Sequence, residues 1–120
     1  MKILVTGAAG FVGSNISRFI LEHSCDVKIF GFDNLSRAGS EINVKLVKEF
    51  GVRLIHGDAR IQSDLDSMPA VDWVIDCAAN PSALAGLDGP VSSRQVMEHN
   101  LLGTINLLEY CKKHKAGLIL

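Results

Sequence analysis

Two hydrophobic rhythms alternate along this chain. Short runs of consecutive apolar or β-branched residues are separated by longer stretches with apolar positions every three or four residues. The run at 2–6 (KILVT) predicts a buried strand. Residues 11–23 predict a helix with Val12, Ile16, Phe19 and Ile20 on one face. A second strand follows at 26–32 (DVKIFGF), then a polar loop from Asp33 to Gly39. Ser40 is placed as the cap of a helix over 41–50, with Ile42, Leu46 and Phe50 inward and Gly51 just past its end. Residues 52–56 (VRLIH) predict a third strand, 61–67 a short helix ending before Pro69, and 71–77 (VDWVIDC) a fourth strand with Trp73 in the core.

A loop rich in turn formers (NPSALAGLDGPVSS) separates that strand from a long helix over about 94–114, with Ser92 and Ser93 as its caps. Met97, Leu101, Ile105 and Leu108 line one side of this helix; Gln95, Glu98, Asn106, Glu109 and Lys113 line the other. Gly117 is expected to break it, and 118–120 to begin a fifth strand. Strands that alternate with helices predict an α/β fold with parallel strands joined by crossovers, hence a doubly wound sheet covered on both faces.

Composition narrows the picture. At 120 residues the chain is one domain at most, and 48% hydrophobic residues suffice for a core. Twelve basic residues against 13 acidic ones leave no basic stripe for nucleic acid. No apolar run reaches membrane length. The three cysteines, Cys25, Cys77 and Cys111, are far apart and form no C-x-x-C pair, which suits reduced structural thiols and a cytoplasmic protein. His23, His56, His99 and His114 lack ligand spacing with one another or with the cysteines, so no metal site is expected. Neither Asp64 with Asp66 nor Asp72 with Asp76 has the spacing of an acid/base couple.

The junction of the first strand and first helix carries the clearest chemistry. Gly7, Gly10 and Gly13 form a G-x-x-G-x-x-G run in the stretch ILVTGAAGFVGSN. Gly7 suits a sharp turn, Gly10 leaves the backbone open to a pyrophosphate, and Gly13 lets the helix lie close on the sheet. The helix start offers unpaired N–H donors and a partial positive charge. Asp33, at the end of the second strand, is placed to accept hydrogen bonds from adenosine ribose hydroxyls. A carboxylate there repels a 2′-phosphate and favours NAD over NADP. Arg37 is the counter-signal, since it can hold such a phosphate or contact the cofactor's phosphates. Asp58-Ala59 after the third strand and Ala78-Ala79-Asn80 after the fourth are expected at the same sheet edge.

Together, TGAAGFVG (6–13), FDNLS (32–36), HGDAR (56–60), CAANPS (77–82) and HNLLGTINLLEYC (99–111) resemble the extended short-chain dehydrogenase/reductase family, the NAD-dependent epimerases and dehydratases of nucleotide sugars. The resemblance implies a Rossmann fold of strand order 3-2-1-4-5. It implies a pyrophosphate loop at Gly7, Gly10, Phe11, Val12 and Gly13, and ribose and nearby phosphate contacts at Asp33, Asn34 and Ser36. It places Asp58 and Ala59 at the adenine and Ala78, Ala79 and Asn80 beside the nicotinamide half. Asn100 matches an asparagine of the long helix that supports the active site. Within the family, FDNLSRAGS and ANPSALAGLDGPVSSRQVMEHN look most like CDP-paratose (CDP-tyvelose) 2-epimerases, which implies a CDP-hexose substrate. In such enzymes a hydride moves from a sugar carbon to NAD and returns to the opposite face. A homo-oligomer is expected.

One departure is large. The family's Tyr-x-x-x-Lys motif follows the fifth strand, whereas the single tyrosine here, Tyr110, precedes it and has His114 where the lysine is required. No catalytic residue is therefore assigned. The chain is expected to be a dinucleotide-binding domain, residues 1–120, that lacks the catalytic and substrate-binding part and ends inside the fifth strand. A dehydratase or reductase of the same family, and a non-catalytic NAD-sensing module, remain as alternatives.

Overall fold

The structure is a computed structural model of the chain, and it describes residues 1–80 and 92–120. Most of the predicted turn-rich loop, from 81 to 91, lies outside the described residues. Among the described residues, five parallel strands form one sheet in the order β3-β2-β1-β4-β5. They are β1 (Lys2–Thr6), β2 (Lys28–Asp33), β3 (Arg53–His56), β4 (Trp73–Asp76) and β5 (Gly117–Ile119). The helices are α1 (Phe11–His23), α2 (Ser40–Glu49), α3 (Gln62–Asp66), α4 (Ser93–Met97) and α5 (Gly103–His114), with a π-helical turn, Glu98–Leu102, joining the last two. The alternation read from the apolar pattern and the strand order implied by the family resemblance are both borne out.

The central strand explains why apolar runs appear unbroken. Ile3, Leu4, Val5 and Thr6 of β1 are all buried, because helices cover both faces of the sheet. On one face Leu4, Phe30, Phe32 and Val74 pack against Leu65, Met68 and Val71 and against Leu107, Tyr110 and Cys111 of α5. On the other, Ile3, Val5 and Ile29 pack with Ala8, Val47 and Val52. Successive strand residues thus feed opposite cores, the period-two geometry of a strand.

Helix orientation is where the structure corrects the sequence. In α1 the buried residues are Gly13, Ser14 and Ser17, while Val12 and Phe19 are exposed. Small residues win the sheet-facing side because the helix begins on the tight turn after β1 and has no room for larger ones there. In α2 the phase is also turned: Val47 is buried, and Ile42 and Leu46 face solvent. Ser40 is not the cap. Gly39, left-handed at φ 94°, takes that position and Ser40 is the first helical residue. The far end of α2 ends as expected at Gly51 (φ 96°): Gly51 N–H donates to the Lys48 carbonyl and Val52 N–H to the Val47 carbonyl, a Schellman closure.

The long helix keeps its predicted start, with Ser92 Oγ accepting from Gln95 N–H at 3.2 Å. Its apolar stripe, Met97, Leu101, Ile105 and Leu108, is exposed, and the buried side is Gly103, Leu107, Tyr110 and Cys111. Its C-terminal break is Lys115, left-handed at φ 55°, rather than Gly117, which opens β5. Trp73 is 43% exposed, not core. Its ring lies where a Cβ on Gly117 of the neighbouring strand would sit, so it covers that edge.

Tyr110 is fully buried and donates its hydroxyl to the Pro69 carbonyl at 2.5 Å. Burial, reinforced by Cys111, pushes its phenol up to about 12. The unfolded chain therefore releases this proton near pH 10, before the folded one does. Stability conferred by the protonated phenol is intact below pH 10 and falls as pH rises from about 10 to about 12. Chemical denaturation at pH 8 and at pH 11 should show the advantage of wild type over Tyr110→Phe shrinking by about 1.4 kcal/mol. An advantage independent of pH would refute this.

Candidate functional site

The strand order reverses at β1, where successive strands run first toward β3 and then toward β4. Loops leaving the carboxyl ends of β1 and β4 diverge there and open a crevice. A cleft of about 280 Å³ occupies that place. Its floor is the glycine turn. Gly7 is left-handed (φ 58°), and a Cβ on it would lie 2.6 Å from the Cys77 carbonyl oxygen. Gly10 N–H donates to the Gly7 carbonyl at 2.9 Å, and the first helical bond runs from Ser14 N–H to the Gly10 carbonyl. A Cβ on Gly13 would fall on the Gly7 carbonyl, so that residue lies beneath the turn and does not line the cleft. The first turn of α1 carries no acidic side chain and no side-chain cap. Phe11 and Val12 line the cleft, and among the described residues their N–H groups have no partner within the chain.

Asp33 faces this turn across the cleft. Its Oδ2 accepts from Ala9 N–H at 2.9 Å and its Oδ1 from Leu35 N–H at 2.8 Å, which holds Leu35 in the left-handed region. A carboxylate has about four lone-pair sites, so two stay open. Asn34 turns the chain through Ser36 N–H, which donates to its Oδ1, and ties the loop to the end of β3 through Nδ2 to Asp58 Oδ2 at 3.0 Å. Arg37 lines the cleft; its carbonyl accepts from Ser40 N–H at 3.0 Å, while its guanidinium has no hydrogen bond or ion pair among the described residues.

Asp58 is fully engaged. Its Oδ1 accepts from Arg60 N–H and Nε, both at 2.9 Å, and its Oδ2 from Arg60 Nη2 at 2.6 Å and from Asn34. The Arg60 hydrogen bonds outweigh the cost of burial and hold the Asp58 carboxyl well below the usual carboxylate range. Arg60 also reaches Glu98 at 3.8 Å, and Glu98 pairs with Arg94 at 2.6 Å, so the end of β3 is tied to the long helix. Asn106 Nδ2 donates to the Ala59 carbonyl at 2.9 Å on the same contact.

The opposite wall follows β4. Thr6 Oγ1, fully buried, donates to Asp76 Oδ1 and accepts from Cys77 N–H at 3.1 Å and Ala78 N–H at 3.2 Å. This knot fixes the backbone of 77–79 against the glycine turn. Burial pushes the Cys77 thiol up, with Asp76 adding to the effect, so it is not set up as a thiolate nucleophile. Asn80 and Asn100 do not line the cleft. They meet each other instead: Asn80 N–H donates to Asn100 Oδ1 at 2.8 Å, from the π turn of the long helix.

The structure thus brings Gly7, Gly10, Phe11, Val12, Asp33, Asn34, Ser36, Arg37, Asp58, Ala59, Ala78 and Ala79 around one cleft. Sequence reasoning left Thr6, Phe32, Ser40, Gly57, Arg60, Cys77 and His99 of its lining unassigned. All lie inside the segments that carry the family resemblance, His99 directly beside Asn100, so the pattern held them within reach.

The sequence profile of the NAD dependent epimerase/dehydratase family matches residues 3–120. A CDP-paratose 2-epimerase of Salmonella typhi is 32% identical over 121 residues, covering 98% of this chain and 34% of that protein. A putative UDP-glucose 4-epimerase of Methanocaldococcus jannaschii is 37% identical, covering 93% and 34%. The crystal structure of dTDP-glucose 4,6-dehydratase from Bacillus anthracis in complex with NAD superposes with a TM-score of 0.78 at 30% identity, covering 98% of this chain and 36% of that one. The chain spans about a third of the length of the curated relatives it matches.

Proposed function

The chain belongs to the NAD dependent epimerase/dehydratase family, and on that premise we propose that its cleft holds NAD for a nucleotide-sugar epimerase. The bare first turn of α1 opposite a backbone-anchored Asp33 carries this reading. Phe11 and Val12 N–H groups hold the pyrophosphate, helped by the positive end of the helix. The two open lone-pair sites of Asp33 take the adenosine ribose hydroxyls. The wall at Ala78 and Ala79 carries no large side chain, which suits a flat ring laid against the backbone. NAD, when bound, supplies a hydride acceptor. The chain's own part is to bind and orient it and to keep the 77–79 wall rigid through Thr6 and Asp76. A dinucleotide with a 2′-phosphate would meet the Asp33 carboxylate. Calorimetric titration should therefore give NAD an affinity at least about tenfold above that of NADP, the worth of one lost charged contact. No heat of binding with NAD would sink the assignment.

The finer substrate we propose is a CDP-hexose, epimerised at C2, supported by the likeness to the Salmonella typhi protein. The name of the Methanocaldococcus jannaschii relative points instead to UDP-glucose. A panel of CDP-, UDP- and dTDP-sugars offered to the intact enzyme, with products resolved by NMR, separates the two. We propose a cytoplasmic location, supported by the three free cysteines; no helix among the described residues is long and apolar enough to cross a membrane.

The exposed stripe Met97, Leu101, Ile105 and Leu108 is our proposed homo-oligomer contact. It carries no charge along its length, and a second copy of the same helix would complement it. Leu101→Glu with Leu108→Glu should shift sedimentation to the monomer. An assembly that survives both changes would place the contact elsewhere.

A further inference from the structure

Resting on the reading that the cleft holds NAD, we propose that Asn43, which does not itself line the cleft, is a positioning residue for the pyrophosphate. It holds the Ala9 carbonyl over to α2, and so keeps Gly10 extended and the N–H groups of Phe11 and Val12 available to the two phosphates. Asn43 lies in α2, 34 residues from Ala9 along the chain, and is half-buried. Its Nδ2 donates to the Ala9 carbonyl at 2.8 Å. Ala9 is fully buried, and among the described residues Asn43 is the only partner of its carbonyl. A buried carbonyl left unpaired is costly, so without Asn43 this one must turn elsewhere.

The bond stands in for one that the helix would otherwise make. In an α-helix each N–H bonds the carbonyl four residues back, and four before Gly13 is Ala9. That bond is not made here. Gly10 is extended, with ψ 171°, and the first helical bond runs from Ser14 N–H to the Gly10 carbonyl. Released from Asn43, the Ala9 carbonyl has Gly13 N–H as the donor that helix geometry supplies. Taking it would start α1 one residue sooner and rotate Gly10 into the helical region. The ψ of Gly10 sets the plane of the peptide that follows, so this rotation re-aims the Phe11 N–H, a donor of the anion site.

Asn43 also closes a second hold. Asp33 takes the Ala9 N–H at 2.9 Å and Asn43 takes the Ala9 carbonyl, so the segment between them leaves Ala9 and returns to it. Ser36 and Arg37, both on the cleft lining, ride on that closed segment. Both effects bear on the phosphates, and neither requires Asn43 to touch the cofactor.

Adenosine diphosphate and adenosine separate this role from plain structural support, because they differ only in the diphosphate. In calorimetric titration of the full chain, with adenosine measured by competition, the diphosphate should bind at least about tenfold more tightly. Asn43→Ala should lower that ratio by roughly tenfold, and Asn43→Gln, which keeps the amide donor, should hold it within about threefold of wild type. An Asn43 that only supports the fold would lower the melting temperature in Asn43→Ala and leave the ratio unchanged, which overturns the proposal. An equal fall in Asn43→Gln assigns the effect to packing and overturns it too. Where Asn43→Ala fails to fold, wild type labelled with 15N decides. The Asn43 side-chain amide resonance should shift with the diphosphate and not with adenosine, and no shift, or the same shift with both, overturns the proposal. Binding of neither NAD nor adenosine diphosphate would overturn the NAD reading, and this inference with it.

Discussion

Gly13→Ala should lower the melting temperature by roughly 10–15 °C, or about 3 kcal/mol. The added methyl would fall on the Gly7 carbonyl and within 2.9 Å of Ala8 Cα, and both obstacles are backbone. A side chain can rotate away from a clash, but a main-chain turn cannot without moving α1 or β1. The sheet-facing residues of α1, Ser14 and Ser17, are already buried, so the helix has no slack to withdraw into. Gly39→Ala makes the contrast. Its Cβ would meet nothing within 4 Å, and the cost is the left-handed backbone alone, about 1 kcal/mol. Thermal melts of the two variants decide the matter. Equal small losses would mean that the turn yields more easily than close packing allows.

Asp33→Ala should weaken NAD binding by about a hundredfold, the combined worth of two hydrogen bonds to a charged acceptor. Two effects add. The open lone pairs that receive the ribose are removed. The anchors on Ala9 N–H and Leu35 N–H are lost as well, so the glycine turn is no longer tied to the loop after β2. Leu35 is left in a left-handed conformation with nothing holding it there. Asp33→Asn separates the effects: its carbonyl oxygen can keep one backbone anchor while the charge is gone. It should hold most of the stability and lose most of the preference for NAD over NADP. Calorimetry with both dinucleotides, beside urea melts, reads the two quantities independently. Unchanged affinity in Asp33→Ala would take the ribose contact away from this residue.

Several elements were legible because their cause is local. The glycine turn depends on steric freedom at neighbouring positions, and Gly7 shows the left-handed backbone that such freedom permits. The end of α2 at Gly51 rests on the same reasoning. The buried central strand could be read from its unbroken apolar run, since a strand covered on both faces has no polar positions to spare.

Helix faces were misread for a common reason. Apolar spacing names a stripe, but it does not say what the stripe faces. Phe19 stacks on His23 at the surface, while Ser17 goes inward, because the distance between helix and sheet was set by Gly13 and not by side-chain volume. In the long helix the strongest stripe stands in solvent, and the aromatic core residue is Tyr110, whose hydroxyl donates to the Pro69 carbonyl in the turn before β4.

The order of helices and strands, the phosphate turn and the acidic residue opposite it follow from neighbours along the chain, where sterics and periodicity act over a few residues. The saturation of Asp58, the Thr6–Asp76 knot and the arrival of His99 at the cleft depend on groups dozens of positions apart. Those pairings exist only once the sheet has brought its carboxyl ends together, because hydrogen bonds and ion pairs are made by distance in space, which spacing along a chain does not specify.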